Sequence, residues 1–174
     1  MQMLQELLVS ELQDLLHAEG QLLKALPKMA KAAHDPRLKT AFEAHLKETE
    51  GQVERLNQAF GLLDAKIEAK SCKAMLGLVA EGEETIKEGK ENGNDIADLA
   101  LIVAAQKVEH YEISGYGSAR AIAEQIGGAK VAKLLSQTET EEEKADKLLT
   151  EIAKRLMERA ADLAEQGTHA TATR

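Results

Sequence analysis

The amino-acid sequence predicts an all-α protein, and three observations lead to it. Only two prolines and twelve glycines interrupt the 174 residues. The rest is rich in Ala, Leu, Glu, Lys and Gln, the residues that lose least on entering a helix. Apolar positions recur three and four residues apart, and no segment shows the alternation of β-branched residues that marks a strand.

Four long helices and one short one are expected. The first covers 3–33, on leucines at 8, 12, 15, 22 and 26. Pro27 falls inside it and removes one ladder donor, so a kink is expected there. The sequence His34-Asp35-Pro36 ends that helix, with Asp35 placed to cap the next and Pro36 to open it. The second helix covers 36–63, with a stripe through Phe42, Leu46, Thr49, Val53, Leu56 and Phe60. Residues 64–94 are more broken. They hold a short helical pattern on Met75, Leu76, Val79 and Ile86 and end in the loop GKENGND (89–95). The third long helix covers 95–126 and stops at Gly127 and Gly128. The fourth covers 129–166, on Val131, Leu135, Leu149, Ile152 and Leu156. The last residues, GTHATATR (167–174), lack an apolar pattern and are expected to form a disordered tail.

Connection lengths set the topology. Turns of about three residues join the first helix to the second and the third to the fourth, so each pair is expected to be an antiparallel hairpin. Roughly thirty residues separate the pairs, enough to run the length of a bundle. One long crossover between two hairpins, carrying its own short fifth helix, is the ferritin-like form of the four-helix bundle. Residues 1–166 are expected to make this single domain.

Composition excludes several functions. At 44% hydrophobic and 30% charged, the chain has a globular balance. Aromatic residues are 2% (Phe42, Phe60, Tyr111 and Tyr116) and the net charge is −8. Stacking platforms and basic clusters are both missing, so no nucleic-acid partner is expected. The longest apolar run, Leu99–Ala105, is far short of a membrane span, and the acidic N-terminal segment does not read as a signal peptide. The one cysteine, Cys72, supports neither an intrachain disulfide nor a Cys-rich zinc site and reads as a small inert residue. A cytoplasmic location is the expectation. No nucleophile–base pair, phosphate-cradling glycine loop or dinucleotide fingerprint occurs, which sets aside hydrolase and kinase chemistry.

The informative feature is what interrupts the apolar stripes. Glu19 falls in the series 8, 12, 15, 19, 22, 26 of the first helix. Glu109 falls in the series 99, 102, 106, 109, 113, 116 of the third, and Glu142 in 131, 135, 138, 142, 145, 149, 152 of the fourth. In the second helix Thr49 takes the stripe position, with Glu48 and Glu50 on its shoulders. Measured from the turns, Glu19 and Glu48 lie at heights of roughly 23 and 18 Å, and Glu109 and Glu142 at roughly 27 and 21 Å. Four carboxylates from four helices thus share one layer. Buried and unpaired, each is costly, and mutual repulsion adds to the cost. A pair of divalent metal ions bridged by carboxylates is how four-helix bundles offset it.

Further donors are less sharply marked. Gln52 follows Glu48, and Asp146 follows Glu142, at a spacing that keeps both on one helix face. His45 lies one turn before Glu48, while His110 and Glu112 flank Glu109. Each of these five is open as a ligand, as a group that orients one, or as a surface residue. Tyr116 joins His45, His110 and Glu112 among the possible orienting groups. The Glu-x-x-His pairing frequent in such sites is missing from the stripes. The one acid-x-x-His pair, Asp14 and His17, lies among Ser10, Gln13, Gln21 and Lys24 and reads as a solvated face.

The segments HLKETEGQVERL (45–56) and KVEHYEISGYG (107–117) closely resemble the bacterial YciF/YciE family of ferritin-like, stress-associated proteins. LQDLLHAEGQLLKALPKMAKAA (12–33) and ETEEEKADKLLTEIA (139–153) agree with that likeness, which runs to about residue 165. The resemblance implies a ferritin-like bundle, a dinuclear metal site related to rubrerythrin-type sites, and a homodimer. By this likeness Glu19, Glu48, Glu109 and Glu142 match the family's inward carboxylates, with Gln52 and Asp146 as additional ligands. Two departures matter. His17 stands where the family commonly has Tyr, and Lys47 and Glu50 stand where some members have Glu and His, which removes a Glu-x-x-His pair.

The functional expectation is therefore a carboxylate protein holding two divalent ions, iron or manganese, with a role in oxidative or general stress. Oxygen donors with few imidazoles suit hard ions. A redox role needs an open coordination position facing oxygen or peroxide. The alternative is a non-catalytic helical structural or interaction protein whose metal only stabilises the bundle. Iron storage would require a large hollow cage.

Overall fold

A computed structural model describes residues 1–89 and 94–171, with side chains through residue 162. The described residues form five helices and no strand: α1 (Gln2–Ala32), α2 (Pro36–Leu62), α3 (Lys73–Glu88), α4 (Asn94–Gln125) and α5 (Ala129–Thr171). The boundaries follow local chemistry. α1 runs on through Pro27 to Ala32. The Asp35 carboxylate caps α2 by accepting the Arg37 N–H at 2.9 Å, and Pro36 opens the helix. α4 ends where Gly127 takes a φ of 79°, a left-handed turn that glycine enters without a Cβ penalty. The Gly128 N–H then closes back on the Ala123 carbonyl at 2.8 Å.

α1 packs on α2 and α4 on α5; α2 also meets α5, and α1 meets α4. Contacts that climb α4 descend α5, Gln106 bonding Asp146 and Thr150 while Arg120 bonds Glu139. One end of the bundle is clamped by Asp98 of α4, whose carboxylate accepts the N–H groups of His34 (2.9 Å) and Asp35 (2.6 Å). No helix among the described residues is long and apolar enough to cross a membrane.

The apolar core has two parts. One gathers Leu22, Leu26, Phe42, Ile102, Leu149 and Leu156. The other gathers Leu8, Leu12, Leu56, Phe60, Ala119 and Leu135. Each buried leucine or phenylalanine contributes about 1.5–3 kcal/mol. Every long helix passes from one part to the other, and on each the change comes at a polar stretch: Glu19, His45 to Gln52, Glu109 to Glu112, and Thr138 to Glu142. A polar layer therefore crosses the middle of an otherwise oily bundle.

The crossover corrects one expectation. Asp14 and His17 are half-buried and do not sit on a solvated face, because the crossover bonds to this side of α1 at Lys70 and Cys72. The Lys70 N–H donates to the Gln13 carbonyl at 3.0 Å, and the Cys72 N–H donates to His17 Nδ1 at 3.1 Å. Tyr111 of α4 donates its hydroxyl to Asp14 and stands 3.0 Å from Cys72 Sγ. Cys72 is buried, and its sulfur caps α3 by accepting the Met75 N–H at 3.3 Å. α3 then lies across α1 and α4. The far end also differs from the expectation, since α5 continues to Thr171 where a helix ending at 166 was expected; its Ala-rich sequence lacks a proline to stop it. Of the expected loop 89–95, residues 90–93 lie outside the described residues, as do the tail residues 172–174.

Candidate metal centre

The layer is assembled by all four long helices. From α1 comes Glu19, fully buried, with Tyr116 of α4 donating its hydroxyl to one carboxylate oxygen. From α2 come His45, Thr49 and Gln52, all buried, one below another on the same face. Thr49 satisfies its buried hydroxyl within the helix by donating to the His45 carbonyl at 2.9 Å. α4 supplies Glu109 and Glu112, and α5 supplies Glu142.

His45 is the hub. Its Nε2 stands 3.4 Å from Glu109 Oε2 and 3.4 Å from Glu142 Oε2, while its Nδ1 stands 3.2 Å from Glu48 Oε2. His45, Glu109, Glu112 and Glu142 each present an atom within 4.8 Å of all the others, a group that could hold a metal ion. On the opposite flank the Gln52 amide donates to Glu142 and, at 3.2 Å, to Glu141, which also accepts from Arg55.

Electrostatics make this an expensive arrangement. Burial pushes the Glu19 carboxyl well above the usual carboxylate range, and the Glu142 charge adds to it, against the Tyr116 hydrogen bond. Glu109 is raised by burial and then by Glu142 beside it, and Glu112 by burial and then by the charges of Glu19, Glu142 and Glu109. Burial resists a charged His45 ring, but its hydrogen bond to Glu48 and the Glu142 charge outweigh it, so the ring holds its proton more tightly than usual. Among the described residues, Glu19 Oε2, His45 Nε2, Glu109 Oε2, both Glu112 oxygens and Glu142 Oε2 are buried without a hydrogen-bond partner. Buried polar atoms are nearly always satisfied, so such a group needs an explanation. Hard oxygen donors with one imidazole fit a divalent transition ion.

Residues 3–162 match the family model for a domain of unknown function, DUF892. The chain belongs to the DUF892 family. Protein YciF of Escherichia coli strain K12 is 44% identical over 154 residues, covering 88% of this chain and 92% of that protein. The crystal structure of the E. coli stress protein YciF matches with a TM-score of 0.86 at 43% identity, over 91% of this chain and 99% of that one. YcfI of Rhodopseudomonas palustris, described as a candidate structural protein, matches with a TM-score of 0.80 at 38% identity, over 84% and 92% of the two chains. A Xanthomonas campestris protein at 20% identity shares the fold, with a TM-score of 0.72.

In this DUF892 bundle the expected site residues divide in two. Glu19, Glu109, Glu142 and Gln52 come together in the buried layer, with Glu112, His45 and Tyr116 beside them. Glu48 stands at its edge, with its side chain 47% exposed. Asp146 and His110 stand outside the group that converges on His45: Asp146 bonds Gln106 while its charge still acts on Glu109, and His110, 69% exposed, stands 3.4 Å from Asp146. Sequence reasoning underrated His45 and Glu112. For His45 the signal was available, since 42, 45, 49, 52, 56 is as good a helical stripe as 42, 46, 49, 53, 56. Glu109 and Glu112 also keep the i, i+3 spacing of a Glu-x-x-His pair, with a carboxylate in place of the imidazole.

Proposed function

We propose that this protein is a ferritin-like carboxylate protein that binds two divalent ions, iron or manganese, at mid-bundle, and that it serves in oxidative or general stress. The observation that carries the reading is the convergence of His45, Glu109, Glu112 and Glu142 with their inner atoms unpartnered. Glu19, Glu109, Glu112 and Glu142 carry four negative charges when ionised, and two divalent ions bring four positive ones. Among the described residues, no lysine is buried to do this instead. His45 and these four carboxylates would hold the ions, with Glu48 at the rim as a further oxygen donor. Bound iron or manganese supplies redox chemistry and polarises a ligand at an open position. The chain's part is to exclude bulk water with two apolar layers, to orient Glu19 through the Tyr116 hydroxyl, and to orient Glu142 through Gln52. The stress role rests on the likeness to E. coli YciF, named a stress protein.

Elemental analysis of chain purified without chelator tests this. About two equivalents of iron or manganese are expected, and absence of any transition metal defeats the reading. One observation favours the alternative, a structural protein whose metal only stabilises the bundle: the R. palustris relative is described in structural terms. Loaded protein that gains thermal stability yet shows no absorbance change with oxygen or peroxide would decide for it. Light scattering gives the assembly, a homodimer being expected.

A further inference from the structure

Between α2 and α5 the surface opens into a cleft of about 110 Å³ that ends on the buried layer. A space of that size holds several water molecules. Its mouth is formed by the exposed residues Ala44, Glu48, Lys144 and Leu148, and its floor by the buried His45 and Glu109. The cleft therefore ends over two of the four convergent groups. The gap exists because alanines line the seam, Ala41 and Ala44 from α2 and Ala145 from α5. Methyl groups leave room that larger side chains would fill.

The other groove along these helices offers no such passage. It is larger, about 680 Å³, and lies around Arg55, Thr140 and Glu141. Its inner side is closed by bonded groups, Arg55 donating to Glu141 and Gln52 donating to both Glu141 and Glu142. A guanidinium held at that threshold repels cations.

Glu48 gives the smaller cleft its sign. Its side chain is half exposed at the mouth and stands 3.2 Å from His45 Nδ1, between solvent and the floor. A carboxylate at the mouth of a low-dielectric cleft concentrates cations there. Lys144 on the other lip moderates the field.

We infer that the α2–α5 cleft above His45 is the uptake passage of the buried site, with Glu48 as its receiving carboxylate. This rests on the metal reading above. The test follows cobalt(II) uptake by chelator-stripped chain, using visible absorbance in stopped flow. Ala145→Leu fills the seam without replacing any proposed ligand; it should slow uptake at least about tenfold and leave the final stoichiometry unchanged. Leu148→Ala widens the mouth and should speed uptake. Leu148 is 49% exposed, so this variant folds and keeps the test decisive even if Ala145→Leu does not. Unchanged rates in Leu148→Ala, or an Ala145→Leu chain that loads at the wild-type rate or to a lower final level, overturn the passage. Wild-type chain that takes up no cobalt at equilibrium overturns the metal reading, and the passage with it, before any variant is made.

Discussion

Glu142 is held from two sides, by the Gln52 amide on one oxygen and by His45 3.4 Å from the other. In the metal-free chain its charge also raises the proton affinity of Glu19, Glu109 and Glu112. Glu142→Gln should therefore stabilise the chelated protein by about 1–3 kcal/mol, because a neutral isostere relieves buried repulsion. The same change should lower metal stoichiometry, so urea melts and elemental analysis should move in opposite senses. Tyr116→Phe should act in the other direction. It strips Glu19 of its hydrogen bond, leaving both oxygens buried and unpartnered, at a cost of about 1–3 kcal/mol in chelated protein. Spacing alone placed Glu19, Glu109 and Glu142 inward, because a carboxylate between leucines at 3 and 4 has nowhere else to point. It could not choose between Glu48 and His45, since on α2 two stripes fit the same period and only the neighbouring helices select one.

Among the elements, the end clamp and the crossover carry most of the unexpected chemistry. Asp98 is fully buried and accepts the two N–H groups of the turn between α1 and α2. Asp98→Ala should cost about 2–3 kcal/mol, read as a lower urea midpoint with an unchanged slope. Its signal in the sequence was its place one turn before Leu101 and Ile102, on the apolar face. The crossover had no comparable signal. His17 and Asp14 look like solvent-facing residues to any local pattern, yet the Cys72 N–H donates to His17 and the Tyr111 hydroxyl to Asp14. Polar side chains that receive a distant segment are indistinguishable in sequence from those that receive water.

For the whole molecule the buried layer sets how stability responds to pH and, on the proposed reading, to metal. Glu19, Glu109 and Glu112 have folded-state values raised above the ordinary 4.5, and His45 is raised above 6.5. Their contribution is fully present below the unfolded values and is lost as pH rises through the folded ones. Metal-free protein should therefore melt higher at about pH 5 than at about pH 8. Loaded protein should show the opposite slope, because ligands must shed protons to bind. Free metal at about 100 times its Kd should add about 2.7 kcal/mol. Melting curves across this range, with and without chelator, check both, and parallel slopes would falsify a site that couples metal to these protons.

Helix periodicity, caps and connection lengths are local properties, and they were enough to determine the five helices, their ends near Asp35 and Gly127, and a polar layer at mid-bundle. What only the tertiary structure decided was which side chains of that layer meet, where the crossover docks, and where a cleft ends on His45. Those depend on the rotation of each helix about its axis and on partners far along the chain, and a stripe repeating every 3.6 residues leaves that rotation open until another helix packs against it.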